Sequence, residues 1–449
     1  MNESANYPFQ SILEAKLAES LSDRLQDITP RRLHGAIQLK GKVTAVVGIR
    51  RAGKTTFLHQ VRREQLEAGL DRERLPYINF EDERLVGLTA DQLNSLVESY
   101  YRQFPNYRGN KTVWWYLDEI QNIPGWERFV RRLLDSEKVT LFVTGSSAAL
   151  LSREIATALR GRAWEVIIHP FSFEEALRHG GQVVPKSAGF LNAPQRSALE
   201  RHFLDYLTVG GFPEAQGMDQ ATRYQLLRDY VDVAMLRDVV ERHRVSNVVG
   251  LRWLVRHLMS NAASLFSVEK FYGALKSQGV AISKDTVHQL LGHLQDCFLV
   301  RTVWMAADSE RQRMVNPRKA YPVDPGFIPI FDRTGRANVG HALETAILLE
   351  LERRRAEVHY VKTAEGFEVD FLADYPSGEQ ELIQVCANAG LPDTAYRELR
   401  ALADAGKRFK KARKLLLTLT HDGLPSTVPA DVTIQPAYVW MLSSTQAPA

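Results

Sequence analysis

The sequence predicts an α/β protein: a parallel sheet with helices on both faces, then a helical region, then a second, smaller α/β domain. Three observations predict it. Short apolar runs alternate with amphipathic stretches between Val43 and Val143, the pattern of strand–helix–strand units whose sheet is covered on both faces. A Gly-rich turn, Gly48 to Thr55, stands between the first apolar run and the first helical stretch. The chain then changes character twice, to helical spacing after Ile168 and to short strands after the Pro-rich stretch Pro317 to Asp332.

The first forty residues are polar and helical in pattern, with Pro30 and the pair Arg31-Arg32 before the first strand. Val43 to Val47 is a buried strand running into the Gly-rich turn. Thr55 to Ala68 has helical apolar spacing at Phe57, Leu58 and Val61, with Gly69 as a stop. Strands are expected at Pro76 to Phe80, Thr112 to Leu117 and Val139 to Val143, and helices at Thr89 to Tyr101 and Trp126 to Asp135. Beyond Ile168, Leu199 to Tyr206 and Arg223 to Val240 are amphipathic helices flanking the loop Gly210-Gly-Phe-Pro213. Short helices continue from Leu251 to Arg301. Within them Ser283 to Leu290 resembles the second helix of a helix-turn-helix, and Val300 to Trp304 would be a wing strand. The last segment reads as a helix at His341 to Arg353, strands at Val358 to Val361, Glu368 to Leu372, Glu381 to Val385 and Lys414 to Thr418, and a helix at Asp393 to Lys411.

Composition excludes several classes. The chain has 449 residues, more than one ordinary core holds. A net charge of +4 is too mild to announce nucleic-acid binding, so a local basic surface would have to supply it. Two cysteines, Cys297 and Cys386, form neither a disulfide framework nor a zinc site. Met1 to Gln10 lacks the basic and apolar regions of a secretory leader. No window reaches the roughly 18 apolar residues of a membrane span. A cytoplasmic protein without a membrane partner is expected.

Gly48-Ile-Arg-Arg-Ala-Gly-Lys-Thr55 fits the phosphate-loop spacing G-x-x-x-x-G-K-[ST]. Gly48 and Gly53 allow backbone conformations that turn successive N–H groups into one cradle. The helix behind it adds its partly positive N-terminus. Lys54 supplies a charge to the β- and γ-phosphates of ATP, and Thr55 offers a hydroxyl to Mg²⁺. Arg50, Arg51, Ala52 and Thr56 complete the expected nucleotide-binding stretch. Asp118-Glu119 ends an apolar strand. Asp118 is expected to hold Mg²⁺ through water, and Glu119 to orient and polarise the attacking water. The acid pair points to hydrolysis rather than transfer to a small substrate. Thr144 and Ser146, at the end of the next strand, are expected beside the γ-phosphate. Arg162, with Arg160 in reserve, is expected to act on a neighbouring subunit's γ-phosphate, a contribution of about 10³–10⁵ in rate where such arginines operate.

The order of these elements resembles the AAA-type ATPases. Asn79-Phe-Glu-Asp82, Leu117-Asp-Glu-Ile-Gln121, Thr144-Gly-Ser-Ser147, Gly161-Arg162, Pro170-Phe-Ser-Phe173 and Gly210-Gly-Phe-Pro-Glu214 look like the bacterial and archaeal proteins that pair an AAA-type ATPase with a DUF4143-type C-terminal domain. That group lies near the archaeal-type ATPases of the signal-transduction branch. The resemblance implies ATP hydrolysis with Mg²⁺ in a homo-oligomer, expected as a ring, with a helical lid and a winged-helix-like segment after the core.

Arg237-Asp238 falls where such a lid could approach nucleotide, or forms a surface ion pair. Ser267 to Trp304 could contact DNA, although Lys284, His288 and Gln289 are a thin basic complement and winged helices also bind protein. The last domain resembles the PD-(D/E)XK nuclease fold through Glu344, Asp370 and the strand Leu382 to Cys386. Gln384 stands where that fold needs a second acid and Cys386 where it needs a lysine. The expectation is a nuclease-like fold used for binding, without nuclease activity. The run Lys407 to Lys414 is compatible with phosphate contacts, or is the charged end of a helix.

The expected organisation is an ATPase core over residues 1–175, a helical lid over 176–245, a winged-helix-like domain over 246–316 and a nuclease-like domain over 317–449. The expected function is an oligomeric ATPase that remodels or translocates on DNA, duplex or branched. The alternative is a signalling or scaffold ATPase whose nucleotide state switches protein contacts.

Overall fold

Val43–Val47 (β1) is a run of small and β-branched residues buried along its whole length, which suits a strand flanked on both sides and covered on both faces. In the computed structural model of the chain it lies in a five-stranded parallel sheet of order β2-β3-β4-β1-β5. The other strands are β2 (Tyr77–Asn79), β3 (Val113–Asp118), β4 (Val139–Gly145) and β5 (Ala163–Ile167). Helices α1 (Gln10–Ser22), α2 (Lys54–Glu67), α3 (Leu93–Gln103) and α4 (Trp126–Ser136) accompany it. The described residues are 9–23, 27–145, 161–185, 191–332, 338–425 and 427–443. They divide into two compact units, residues 1–168 and 169–449.

Because all five strands are parallel, the C-termini of β1, β3 and β4 emerge on one edge. The register puts Val46 beside Thr144 and Leu117 beside Val143. The phosphate loop, the Asp118-Glu119 pair and Thr144 therefore share that edge, as ligand-binding residues of parallel sheets do. Strand β5 has no counterpart in the sequence reading: its polar Glu165 and half-exposed Trp164 break the apolar run that marks the other strands.

The second unit opens with α5 (Phe173–His179), whose Ser172 and Glu175 form a reciprocal capping box. Helices α6 (Ala193–Val209) and α7 (Gln220–Val233) follow, and α7 runs into a π-helical segment, Ala234–Glu241. Next come α8 (Val248–Ser260), β6 (Ser264–Phe266), α9 (Val268–Ser277), α10 (Lys284–Asp296), β7 (Val300–Met305), α11 (Glu310–Val315) and β8 (Arg318–Pro322). The chain continues through α12 (Val339–Arg353), β9 (Glu357–Lys362), β10 (Glu368–Asp374), β11 (Gln380–Cys386), α13 (Pro392–Arg408), β12 (Arg413–Thr418), β13 (Val432–Pro436) and α14 (Ala437–Leu442).

One eight-stranded sheet, β13-β12-β11-β10-β9-β7-β8-β6, threads the unit. β8 pairs antiparallel with both β6 and β7, and β7 pairs parallel with β9 through Trp304 and Met305. The Pro-rich stretch Pro317 to Asp332, where a domain boundary was expected, thus contains a strand paired on both sides, and residues 316 and 317 lie in the connection of a β7–β8 hairpin. Pro322 is tolerated because it closes the strand. Helix α12 buries Leu343, Ala346, Ile347 and Leu351 against the sheet residues Tyr321, Phe371, Ile383 and Leu415.

The Gly210-Gly-Phe-Pro-Glu214 motif has a packing reason. A Cβ on Gly210, whose φ is +80°, would lie 1.8 Å from Asp324 Oδ1, and one on Gly211 would lie 2.3 Å from the Phe171 carbonyl oxygen. Asp324 is buried and accepts the N–H groups of Gly211 at 2.7 Å and Gly326 at 2.8 Å.

Candidate functional site

The loop between β1 and α2 is shaped by two glycines. Gly48 has φ +147°, and a Cβ there would lie 2.2 Å from the Ile168 carbonyl oxygen. Gly53 caps α2 in the left-handed region at φ +98°, which is costly for any other residue. Arg51 is also left-handed at φ +64°. Lys54 is buried, and its ammonium donates to the carbonyl oxygens of Gly48 at 3.2 Å and Ile49 at 3.3 Å. Ala52 is buried inside the turn, its carbonyl accepting from Arg31 Nη1 at 3.0 Å. Arg50 lies 3.8 Å from Glu81. Thr55 and Thr56 are exposed on the first turn of α2.

Asp118 ends β3, fully buried. Its Oδ2 accepts the Thr55 hydroxyl at 2.8 Å and the Tyr77 hydroxyl at 2.8 Å, and its Oδ1 accepts the Thr144 hydroxyl. Thr144 Oγ1 in turn accepts the Glu119 N–H at 2.8 Å. Among the described residues all of Asp118's hydrogen-bond donors are neutral hydroxyls. Glu119 stands in the left-handed region at φ +52°, ψ +41°, a strained conformation for a residue without special need of it. Gln121 Nε2 holds its carboxylate.

The residues present fit Mg²⁺-ATP. A hydroxyl and a carboxylate one hydrogen bond apart are hard oxygen donors of the kind Mg²⁺ takes. The loop is one that a side chain at Gly48 would fill, and a helix N-terminus opens behind it. The structure brings Gly48, Arg50, Arg51, Ala52, Gly53, Lys54, Thr55, Thr56, Asp118, Glu119 and Thr144 to one sheet edge. Ser146 and Arg160 lie outside the described residues. Arg162 is elsewhere: it precedes β5, whose Ala163 pairs with Val43, at the opposite end of β1 from the loop. Four residue steps of strand separate those ends, about 13 Å. Arg162 is half-exposed and ion-paired with Asp135.

Two residues of this site went unread in the sequence. Tyr77 reaches Asp118 from β2, and burial, then the charge of Asp118, pushes its phenol well above the usual range, so it donates as a neutral hydroxyl. Arg31 reaches back onto the loop from the segment before β1.

A second polar cluster lies in the second unit. Glu344 on α12 and Asp370 on β10, the two acids singled out in the sequence, do meet. Between them stands Lys319 of β8. Its ammonium lies 3.0 Å from Glu344, 2.8 Å from Asp370 and 2.8 Å from Glu368. Tyr321 donates to Glu344 at 2.7 Å. Burial pulls the Lys319 ammonium down, but the charges of Asp370, Glu344 and Glu368 outweigh it and hold the group above its ordinary range. Burial, then the Asp370 charge, pushes Glu344 up. Gln384 donates not to the acids but to Glu398, at 2.7 Å. A lysine thus stands beside the two acids, on β8 rather than at position 386. It is spent on an internal ion cluster, and no group of three or more ligating side chains arranged for a metal occurs among the described residues.

Comparison with known proteins agrees with the first unit. Residues 40–177 match the family described as AAA domain. Residues 200–335 match a domain of unknown function, DUF8612, a different family from the DUF4143-type domain that the sequence resemblance implied. Solved structures with similar folds include the Walker-type ATPase of Pyrococcus abyssi, at 16% identity and TM-score 0.40 over 72% of this chain and 95% of that one. Another is the Aeropyrum pernix ORC2 protein in ADPNP–ADP complexes, at 12% identity and TM-score 0.36 over 74% and 93%. An uncharacterized protein of Haemophilus influenzae is 28% identical over 74% of this chain and 79% of its own length. An uncharacterized protein of Methanocaldococcus jannaschii is 32% identical over 90% of this chain and 89% of its own. The chain carries an AAA-type ATPase domain, and it belongs to the same family as that archaeal protein.

Proposed function

We propose that the chain hydrolyses ATP and couples hydrolysis to work on DNA. The observation that carries the hydrolytic part is Asp118. Its carboxylate is buried at the strand end next to the phosphate loop, and among the described residues it is bonded to neutral hydroxyls and pairs with no cation. Lys54 and the loop N–H groups bind and orient the phosphates. Thr55 and Asp118 are the groups that would hold Mg²⁺, which supplies charge neutralisation at the transferring phosphoryl group. Glu119 orients water and accepts its proton, while Thr144 fixes both acids through one hydroxyl. Arg162 lies too far along the sheet to serve its own loop, which supports action on a neighbouring copy in a homo-oligomer. Mixing Lys54→Ala subunits with Arg162→Ala subunits tests this: recovered hydrolysis supports it, and additive loss sinks it.

The DNA part draws support from the order of elements Val248 to Pro322. A helix, a short strand, two helices and a hairpin surround a three-stranded antiparallel layer, the order expected of a winged-helix-like segment. Phosphate release should be faster with duplex or junction DNA than without it. A rate indifferent to DNA at low salt, together with no binding, would remove the DNA half and leave the ATPase half standing. Nuclease activity is not part of this reading: Gln384 and Cys386 stand where the second acid and the lysine are needed, and Lys319 is shared among Glu344, Glu368 and Asp370. Cleavage in Mn²⁺ that disappears in Asp370→Ala would reverse that.

A further inference from the structure

Strand β8 sends successive side chains to opposite faces. Lys319 points into the acid cluster. Arg318, its neighbour, points the other way and meets Trp304 across the β7–β8 hairpin, its guanidinium 3.5 Å from the ring centroid. The loop between those strands returns a second guanidinium to the same ring: Arg313 of α11, at 5.5 Å. An arginine stacked this closely is held flat, with its N–H edge free to point outward. Arg318 is half-buried, and among the described residues its side chain makes no hydrogen bond and no ion pair. Burial lowers its affinity for the proton, with no acid contributing. Among the described residues Arg313 forms an ion pair only with Glu310, at 3.6 Å. A desolvated, pre-oriented cation without a counter-charge is an incomplete site, and an anion completes it.

The surroundings say which kind. The α11 loop ends in Met314 and Val315, 72% and 75% exposed, with Arg311 exposed beside them. The basic run that begins in the last turn of α13 is stitched to the same loop: Arg408 donates to the Ala306 carbonyl at 3.4 Å and pairs with Asp308. Most of that run is already paired, Lys407 with Asp404 and Glu365, Arg413 with Glu381 and Lys414 with Asp431. Lys410 and Lys411 are exposed and form no ion pair among the described residues. Cations are thus strung along an edge rather than gathered into one pocket. That spacing fits a chain of phosphates better than a single one, and exposed apolar tips flanked by arginines fit a groove whose floor is base edges.

We propose that Arg318 and Arg313, stacked on Trp304, form a phosphate clamp for duplex nucleic acid, with Arg311, Lys410 and Lys411 extending the contact. This rests on the DNA reading of the second unit and names the residues that would do the holding. The test is fluorescence anisotropy of the full-length protein with a labelled duplex, titrated across salt concentration. The wild type is compared with Arg318→Gln, Arg318→Lys and Arg313→Gln/Arg318→Gln, each checked for unchanged melting temperature and basal ATP hydrolysis. The double variant should bind at least about tenfold more weakly, with the salt slope reduced by about 2, roughly one per lost phosphate contact. Arg318→Lys should keep the slope and lose part of the affinity. If the wild type binds duplex and the double variant binds equally well with the same slope, the clamp is wrong and the DNA reading survives. If the wild type binds no duplex but binds poly-glutamate in an Arg318-dependent way, the surface is an acidic-protein interface and the nucleic-acid assignment falls. If it binds neither, both the clamp and the DNA reading fail.

Discussion

Two of the buried acid sites among the described residues differ in what faces the carboxylates. In the first unit Asp118 meets the hydroxyls of Thr55, Tyr77 and Thr144. In the second, Asp370 and Glu344 meet the ammonium of Lys319. Hydroxyls satisfy hydrogen-bonding capacity without bringing an opposite charge, so the Asp118 carboxylate is left open to an incoming cation. An internal ammonium offsets part of the carboxylate charge on folding, shared among Asp370, Glu344 and Glu368. One site is built to be completed by a ligand, and the other already holds a cation of its own. The presence of acids alone does not separate the two; the charge of their partners does.

The largest effect that tests this contrast is on turnover. Glu119→Gln keeps the shape of the strained turn and the bond to Thr144 but removes the proton acceptor. Steady-state phosphate release should fall by about 10²–10⁴, while ATP binding measured by titration calorimetry stays near the wild-type value. Equal loss of binding would mean that Glu119 shapes the site rather than acting on water.

Next comes the closed site. Lys319→Met preserves length and leaves Glu344, Glu368 and Asp370 without their cation. Removing one partner of a buried ion cluster costs about 3–5 kcal/mol, read as a large fall in denaturation midpoint. The same variant should gain stability from Mn²⁺, which the wild type should not, in a nucleotide-free comparison. A Lys319→Met protein as stable as wild type would show that the acids are protonated or solvated and that the lysine is incidental.

The phosphate loop, Asp118, Glu119 and Thr144 were legible because each is marked by its own neighbours: a glycine spacing, or a polar residue directly after an apolar strand. What sequence could not supply is partners brought in by sheet register. Tyr77 lies opposite Tyr116 only because β2 pairs with β3. Lys319 reaches Asp370 only because β7, β8 and β9 join one sheet. Strand β8 was hidden for a local reason, its flanking Pro317 and Pro322, which resemble turn punctuation although neither interrupts the ladder.

A smaller effect separates burial from charge pairing at a third acid. Asp324 is pushed up to about 7 by burial, against the pull of the Gly211 and Gly326 N–H groups and Arg353. A carboxyl whose folded value is raised takes up a proton on folding. Its contribution therefore grows as pH falls from about 7 toward the ordinary aspartate value near 4 and is lost as pH rises through that window. Asp324→Asn should lower stability by about 1–3 kcal/mol, since its amide cannot accept from both glycine N–H groups. Chemical denaturation at several pH values should show the wild type gaining on this variant as the solution is acidified from pH 7. A constant difference would mean that Asp324 stays ionised throughout.

The smallest expected effect lies on the open site and concerns Tyr77. Tyr77→Phe removes one of three hydroxyls on Asp118 and leaves the ring, which packs 4.7 Å from His59. The hydroxyl is a neutral donor to a charge, so its loss costs about 1.5–3 kcal/mol if nothing replaces it and much less if water does. Because Thr55 and Thr144 still hold both oxygens of Asp118, the fold should be nearly unaffected. The Mg²⁺ dependence of hydrolysis is where the change should appear. With one donor fewer competing for its lone pairs, Asp118 becomes the better acceptor for metal-bound water, and the Mg²⁺ concentration giving half-maximal rate should fall slightly with kcat little changed. A rise in that concentration would mean that Tyr77 orients Asp118 toward the metal, and that the hydroxyl shell positions the carboxylate as well as preserving its charge.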